Sequence, residues 1–422
     1  MSFYRDVKRY AIDKYHVQMR RIRRILRAAP FWVLAAGIAL TGFGIGRYAF
    51  LTSQRKDQDM ASYWGQDSDI PMRYMSVYAR GSRPAGSFTP PLYINQKVSL
   101  NRSDIVQIRT SLQGFTDSAT PIGGKSGVDA NGRPRGWEDC FSSFLTATVS
   151  TSTDAGITNP RPVTSTVDVI ASEGNFTAFH PLSFMSGGFL PEIEADNRQI
   201  VINDVLAWKL YKSYEVVGNK ISLWGENFTV IGVAVEPSDS ISRSAKTQQP
   251  RVYIYFSAME ALAPLVDPET AGSSGSQNTS GGLPSPTPTP AASSAPSNNV
   301  VNTNVRPVFA IQCYEAMLTE VVKNVAKNDM ASSIPGYSPA DPYYYVISNT
   351  GRYNVIYTWK YVIPIGKTSA LLDGYEFPYW EKTAELTTMH LFADECFVIL
   401  GVIVMISGGI MAALRSRKMS RK

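Results

Sequence analysis

The chain has 422 residues, a formal net charge of +6 and a pI near 9.0, values that taken alone would suggest a nucleic-acid-binding protein. The basic excess, however, is confined to the two ends. Residues 1–30 and 415–422 together carry 14 Lys or Arg and two Asp, whereas residues 31–414 carry 27 basic and 33 acidic side chains. Each basic end adjoins a long apolar run, where Lys and Arg are attracted to anionic lipid headgroups. This distribution predicts membrane lipids as a partner and excludes nucleic acid.

Two apolar runs are each long enough to cross a bilayer, since about 20 helical residues span a hydrocarbon core of about 30 Å. Phe31–Leu51 is interrupted only by Arg47, and Cys396–Leu414 contains no charge. The first run is longer than the apolar region of a secretory signal, so we predict a retained membrane helix. Because Lys and Arg mark the cytoplasmic side, both termini are predicted to be cytoplasmic and the large central domain extracytoplasmic. The expected location is a bacterial plasma membrane.

Residues 1–30 are predicted to form a cytoplasmic basic helix, whose apolar face could lie on the membrane or dock to a cytoplasmic partner. In the first span, glycines could let a partner helix approach closely, although glycine is also common in membrane helices generally. These glycines are Gly37, Gly42, Gly44 and Gly46.

The roughly 340 residues between the spans are enough for two subdomains with a substantial core. Apolar residues at helical spacing predict a helix over Ser99–Leu112. Alternating, β-branched sequence predicts strands at Phe144–Val149 and Val163–Ile170. The segment Gln199–Tyr211 is predicted to be a short strand that runs into a short helix.

A β-hairpin is predicted next, formed by Lys220–Trp224 and Phe228–Val235 with Gly225-Glu226-Asn227 as its turn. The remaining predictions are a strand at Arg251–Phe256, a helix at Cys313–Val325 and a strand at Tyr343–Ile347.

Two later segments differ sharply in composition. Residues 267–304 are rich in Ser, Pro and Gly and almost lack large apolar side chains, so we predict a disordered insertion. After Pro378, by contrast, good helix formers continue without Gly or Pro as far as Gly401. They predict one continuous helix over residues 379–414, with a kink near Asp394 as the alternative. Such a helix would connect the outer domain rigidly to the membrane.

The sequence contains no motif for catalysis, for a cofactor or for a metal ion. Gly123-Gly-Lys-Ser126 and Gly366-Lys-Thr368 lack the earlier glycine that a phosphate-binding loop requires. The three histidines lie in separate segments, so no metal-ligand spacing occurs. We therefore predict no catalytic, cofactor-binding or metal-binding residues. An extracytoplasmic enzyme is the least favoured interpretation.

Three cysteines do not make a disulfide framework. Cys396 lies at the start of the second apolar run. Cys140 and Cys313 both lie in the predicted outer domain, where oxidation is possible. They form a candidate disulfide, and two separate buried thiols are the alternative.

Four motifs occur in order in the middle of the chain. They are Phe179–Leu190 with its Gly-Gly-Phe-Leu end, the strand–helix Ile200–Leu210 with Asn203 and Ala207, the turn Val217–Ile221, and the strand Phe228–Val233. Together they resemble the periplasmic core domain of MacB-type ABC transporter permeases, the MacB/FtsX-like group. Three later segments, Cys313–Ala316, Asn349–Tyr353 and Pro378–Glu381, resemble the variant of this domain found in Gram-positive relatives. The resemblance covers about residues 31–395.

This resemblance implies an α+β fold in which two transmembrane helices flank an extracytoplasmic MacB-like core domain. That domain would have a porter-like α/β part and an inserted mostly-β subdomain. Structural positions of the family motifs would be Gly187, Gly188, Asn203, Ala207, Gly218 and Gly232. The expected boundaries are the cytoplasmic helix 1–30, span 31–51, first porter-like half 52–184, insertion 185–266, linker 267–304, second half 305–378, stalk helix 379–395, span 396–414 and basic tail 415–422.

In that family, a cytoplasmic ATPase moves the membrane helices, and these move the outer domain to export peptides or lipids or to signal. Full permeases carry three spans after the outer domain, whereas one follows here, so we expect a non-catalytic subunit and not a complete transporter. It would work with an ABC-type ATPase and a fuller permease in trans, within a homo- or hetero-oligomeric membrane complex. The alternative is a membrane-anchored envelope scaffold or sensor that binds cell-wall or secreted partners without transport.

Overall fold

The computed structural model describes residues 29–55, 58, 60–65, 72–79, 100–116, 137–151, 162–194, 196–245, 249–263, 311–319, 344–362 and 377–420. The chain divides into two units. The first, the membrane unit, comprises Met1–Lys56, Gly351–Thr368 and Ala384–Lys422; the second, the sheet unit, comprises Asp57–Thr350 and Ser369–Thr383. The predicted linker 267–304 and the predicted basic helix, except for its last two residues, lie outside the described residues.

The helices, numbered along the described chain, are α1 (Ala29–Gln54), α2 (Met60–Gly65), α3 (Arg102–Thr116), α4 (Phe176–Phe179), α5 (Asp204–Tyr211), α6 (Ser240–Ser244), α7 (Phe256–Leu262), α8 (Val355–Val362) and α9 (Tyr379–Ser420). Among them, α1 over Ala29–Gln54 and α9 over Tyr379–Arg417 are long and apolar enough to cross a membrane. The helix α9 is continuous, as the absence of Gly and Pro from its first part predicts.

The strands are β1 (Met72–Ala79), β2 (Trp137–Thr151), β3 (Thr164–Gly174), β4 (Ser183–Gly187), β5 (Gln199–Asn203), β6 (Lys220–Leu223), β7 (Glu226–Val235), β8 (Arg251–Tyr255), β9 (Cys313–Thr319) and β10 (Tyr344–Ser348). They form one mixed sheet in the order β10-β1-β9-β2-β3-β8-β5-β7-β4, and β6 pairs with β2 and β7. Most neighbours are antiparallel, but β3 with β8 and β5 with β7 are parallel. The mixed α/β architecture with two flanking candidate membrane helices is as expected.

The two faces of the sheet carry different neighbours, because successive strand residues point to opposite sides. On one face, Arg109 of α3 donates to Asp139 at 2.7 Å, and the Tyr314 hydroxyl donates to the same carboxylate at 3.1 Å. The opposite face carries Glu315 of β9, which lies across from Ser76 of β1 and Cys140 of β2. We call this second side the α9 face, since the first turn of α9 packs on it.

Three details of the sequence-based assignment were wrong. The segment at Cys313 is a strand and not a helix, because β9 lies between β1 and β2 and is buried on both faces, which removes the alternation that marks a strand. The hairpin turn is Trp224-Gly225, where both residues have positive φ, and not Gly225–Asn227. Phe256 begins α7 and does not extend β8.

Candidate functional site: the socket of the second candidate membrane helix

The first turn of α9 begins inside the sheet unit, immediately after Pro378. The Pro378 carbonyl accepts the Lys382 amide at 3.1 Å, which closes the first helical turn. Just before this turn, Phe377 is 3% exposed and packs its ring on Tyr78 of β1 and Tyr345 of β10, with centroid distances of 4.9 and 5.9 Å. The entry into the helix is therefore fixed on the sheet by aromatic contacts.

Trp380 fills the centre of this contact. Its ring lies 4.1 Å from His180, 5.4 Å from Phe144 of β2 and 5.6 Å from Phe176 of α4. Its carbonyl accepts a hydrogen bond from the Gln58 side chain at 3.3 Å. We use the name socket for the residues that enclose the start of α9: Tyr78, Phe144, Phe176, His180, Arg251, Tyr253, Gln58 and Tyr345.

On the other side of the turn, Tyr379 lies over the Arg251 guanidinium, which is 3.9 Å from the ring centroid. Its hydroxyl is 3.1 Å from that of Tyr253. Arg251 is 2% exposed and forms an ion pair with Glu236 at 2.5 Å. A desolvated cation on an aromatic face contributes about 2 kcal/mol, so Tyr379 is held more firmly than an exposed tyrosine would be.

Beneath Trp380, a fully buried carboxylate organises the α9 face. Glu315 accepts hydrogen bonds from the Tyr74 hydroxyl at 2.5 Å and the Ser76 hydroxyl at 3.0 Å, and His180 Nε2 lies 2.6 Å from its Oε2. The Asn349 amide in turn donates to Ser76 at 2.7 Å. We call Glu315, Tyr74, Ser76, His180 and Asn349 the polar core. The polar core joins β1, β9 and the segment after α4 directly below the first turn of α9.

The environment of the polar core shifts its pKa values in opposite directions. Burial acts to raise the pKa of Glu315, but the His180 ring and the Tyr74 and Ser76 hydroxyls outweigh it, so that this pKa lies below the usual value. Burial and the neighbouring Glu315 charge raise the pKa of Tyr74. Glu315 is therefore ionised at neutral pH and Tyr74 is a neutral donor, which is the combination that the hydrogen bonds require.

The candidate disulfide is not formed, and both Cys140 and Cys313 are free, buried thiols. In the register of β2 and β9, Cys140 lies opposite Glu315 and Cys313 lies opposite Ser142, so the two cysteines are diagonal neighbours. Diagonal pairs have Cα atoms about 7–8 Å apart, beyond the range of about 4.4–6.8 Å that suits a disulfide. Burial, with Glu315 close by, raises the pKa of both thiols. Among the described residues, no group of three His, Cys, Asp or Glu could hold a metal ion.

The six motif residues lie on the β4–β8 side of the sheet unit, and one of them, Asn203, contacts the socket, since its side-chain oxygen accepts the Arg251 amide at 3.0 Å. Asn203 is buried and caps α5 through the Leu206 amide at 3.0 Å, and its amide donates to the Gln249 carbonyl at 2.6 Å. Ala207 is buried one turn later. Gly218 has φ +89° and donates its amide to the Val230 carbonyl. Each takes part in local backbone geometry.

Two of the glycine positions depend on the absence of a side chain. Gly187 has φ +68°, and a Cβ there would overlap the Ile231 carbonyl. A Cβ on Gly232 would overlap the carbonyl of Gly188, and Gly188 itself has open space around it. The close approach of β4 to β7 therefore requires Gly187 and Gly232, whereas Gly188 supplies the opposing backbone.

In the membrane unit, α1 and α9 pack closely through glycines. A Cβ on Gly37 would lie 2.6 Å from Met405 Cγ, and one on Gly44 would lie 2.7 Å from Val398. From the other helix, a Cβ on Gly401 would meet the Gly37 carbonyl at 2.9 Å. Of the four glycines in the first span, Gly37 and Gly44 thus face α9, whereas Gly42 and Gly46 have nothing within 4 Å.

Polar side chains join the same two helices just before the charge-free run of α9. Arg47 lies 3.4 Å from Asp394 and 3.0 Å from His390 Nδ1. The next residue, Tyr48, donates its hydroxyl to the Tyr353 carbonyl. The contacts of Arg47 hold the helix pair together at one end of its apolar length, and the contact of Tyr48 joins α1 to the segment before α8.

The sequence of the chain matches a known protein family over most of its length before residue 295. The family described as the MacB-like periplasmic core domain matches residues 34–294, which is more than half of the chain. The chain belongs to the MacB-like periplasmic core domain family. This membership supports a membrane component of an ABC-type transporter with an extracytoplasmic domain. No curated protein matches the chain.

Two solved structures are similar to this member of the family. The extracellular domain of the noncanonic ABC-type transporter YknZ from Gram-positive bacteria is 12% identical, with 65% of this chain and 99% of that chain covered and a TM-score of 0.34. The periplasmic region of MacB from Actinobacillus actinomycetemcomitans is 11% identical, with 65% and 88% covered and a TM-score of 0.35.

No local sequence pattern predicts the socket, because His180, Glu315 and Trp380 are far apart in the chain. The available signal was a cluster of aromatic residues, Phe377 to Trp380, at the start of an otherwise polar helical segment. Large aromatics at a helix start indicate that this turn is buried, as it is here.

Proposed function

We propose that the protein is a non-catalytic subunit of a MacB/FtsX-like ABC complex that transmits movement between a cytoplasmic ATPase and its extracytoplasmic domain. The observation that carries this proposal is the continuity of α9. Its first turn is enclosed by the socket of the sheet unit, and the same helix continues as a candidate membrane span. A helix without a break resists bending, so displacement of the membrane part would be conveyed to its first turn.

The contacts of both parts of α9 support this role. Trp380 and Glu381 are at most 7% exposed in the socket, so the first turn cannot slide without disturbing several strands. In the membrane unit, glycine contacts bring α1 and α9 too close for independent rotation. An ABC-type ATPase would act in trans on the cytoplasmic side, to which we assign both termini, and a fuller permease would act in trans within the membrane.

Purification from native membranes tests the partners. The tagged full-length protein is crosslinked, extracted in mild detergent and purified, and its partners are identified by mass spectrometry. We expect an ABC-type ATPase and a second permease in fixed stoichiometry, with a tagged unrelated two-span protein as the control. Recovery of only wall-associated or secreted proteins would support the anchored scaffold or sensor instead.

A second experiment tests the transmission step in that complex. Met389 of α9 is 52% exposed, so Met389→Pro breaks the helix by removing one backbone hydrogen bond while displacing little packing. Met389→Ala is the matched control, since it keeps the helix. Hydrogen exchange of the socket strands is compared with and without ATP and vanadate. We expect a nucleotide-dependent change in the wild type and Met389→Ala, and none in Met389→Pro, although the ATPase still copurifies. An unchanged response in Met389→Pro would reject transmission through α9.

A further inference from the structure

A short helix in the membrane unit has an apolar face that is exposed at its first residues. In α8 (Val355–Val362), Val355 and Ile356 are 51% and 64% exposed. Trp359 and Val362 follow at helical spacing, so these four residues form one stripe along the helix. The exposed Lys360 lies at the edge of this stripe. A helix with one apolar face bordered by a basic residue is typical of segments that lie in a membrane interface.

Contacts within the membrane unit fix where α8 lies along the second candidate span. The Thr358 hydroxyl, which is fully buried, lies 2.8 and 2.9 Å from the two Glu395 carboxylate oxygens. The Trp359 ring packs edge-on against Phe392, with centroids 5.0 Å apart. Glu395 is the last charged residue before the charge-free run Cys396–Leu414. The helix α8 is therefore attached at the point where the hydrocarbon region of α9 begins.

The apolar stripe of α8 also continues onto the lipid-facing surface of α9. Phe392, Cys396 and Ile399 follow one another at spacings of four and three residues, so they lie on one side of the helix. Cys396 is exposed, and Ile399 is 45% exposed. Because Trp359 packs on Phe392, the exposed residues of α8 adjoin this side of α9. What surrounds the exposed side of a membrane-spanning helix is lipid, so the same lipid borders the apolar stripe of α8.

We propose that α8 is an interfacial helix, which inserts Val355 and Ile356 into the headgroup–acyl boundary of the outer leaflet while Lys360 reaches toward the lipid phosphates. Trp359 and the neighbouring Tyr357 belong to the residue types that are enriched at this depth. The insertion fixes the height of α9 in the bilayer through Thr358 and Trp359. This proposal rests on the membrane assignment of α9 and is independent of any ATPase.

Spin labelling of the full-length protein tests this insertion. A nitroxide is attached at Ile356→Cys in a Cys396→Ala background, and the protein is reconstituted in nanodiscs of phosphatidylethanolamine and phosphatidylglycerol. Collision with oxygen, which partitions into lipid, is compared with collision with a water-soluble nickel chelate. The matched controls are Ile193→Cys, at a site 84% exposed in the sheet unit, and Ile399→Cys in the candidate span.

We expect the oxygen-to-nickel accessibility ratio at residue 356 to exceed that at residue 193 several-fold and to approach that at residue 399. A label at Lys360→Cys should give a lower ratio than one at Ile356→Cys, because it lies at the polar edge of the stripe. Nickel accessibility at residue 356 as high as at residue 193 would place α8 in water and overturn the proposal. Shielding from both reagents would also overturn it, since a second copy of the chain would then cover the stripe.

Discussion

The single helix α9 is held in two different ways along its length. Its first turn, in the sheet unit, is enclosed by large aromatic side chains around Trp380. Its later part, in the membrane unit, meets α1 through glycines such as Gly37 and Gly401. The difference follows from the surroundings. Next to water, burial of a large apolar ring stabilises packing, whereas lipid solvates such a ring as well as a protein does. Close backbone approach is then what stabilises the helix pair.

The largest expected effect comes from removing the aromatic contact. Trp380→Ala should lower the free energy of unfolding of the sheet unit by about 3–5 kcal/mol, because it leaves a cavity among Phe144, Phe176 and His180. The measurement is denaturant unfolding of the full-length protein in detergent. Trp208→Ala is the matched control, since Trp208 is 51% exposed and stacks only on Tyr214 among the described rings. Equal losses in the two variants would contradict the assigned socket.

A smaller loss of stability is expected when the charge of Glu315 is removed from the polar core. Glu315→Gln keeps the shape of the side chain but weakens hydrogen bonds from Tyr74, Ser76 and His180, so unfolding should become easier by about 1.5–3 kcal/mol. The control is Glu226→Gln, which alters an ion pair with Arg198 whose side chains are 41% and 50% exposed. A surface change of that kind should stay within about 0.5 kcal/mol. A Glu315→Gln protein as stable as the control would show that the carboxylate is not needed.

At the glycine contact between α1 and α9, we expect a larger side chain to destabilise the protein, whereas in the socket a smaller one does. Gly37→Leu places a side chain against Met405 and the α9 backbone, which should cost about 1–3 kcal/mol or separate the helices. Gly42→Leu adds the same side chain to the same helix, at a position with nothing within 4 Å. Thermal stability is measured by size-exclusion chromatography of heated samples in detergent. A lower melting temperature for Gly37→Leu alone is expected, and equal melting temperatures would disprove the close α1–α9 contact.

The parts predicted from sequence are those with a local pattern. The apolar runs predicted both candidate spans, and the helix formers after Pro378 predicted the continuity of α9. Alternation of apolar and polar residues predicted β2 and β3. The strand β9 was missed, because burial of Cys313 to Leu318 on both faces removes the alternation that marks a strand, and Glu315 to Leu318 are good helix formers. The polar core was missed for another reason: Tyr74, His180 and Glu315 come together only through strand order, which local spacing does not encode.

The smallest expected effect is a pH dependence of the sheet unit. Since the electrostatic interaction with His180 and the hydrogen bonds from His180, Tyr74 and Ser76 hold the pKa of Glu315 below the unfolded value of about 4.3, Glu315 stabilises the fold above that value. The contribution is lost as the pH falls through the folded pKa. Burial raises the pKa of Glu236 despite Arg251, so this carboxylate contributes to the pH dependence with the opposite sign.

The informative quantity is therefore the difference in melting temperature between the wild type and Glu315→Gln, in which the contribution of Glu236 cancels. We expect this difference to be largest near pH 7 and to shrink below about pH 4. A difference that stayed constant down to pH 3 would mean that Glu315 takes up protons alike in the folded and unfolded protein, and a wild type that gained stability relative to Glu315→Gln as the pH fell from 7 would mean that Glu315 is protonated in the folded protein. Either outcome would contradict a lowered pKa for Glu315 in the folded state.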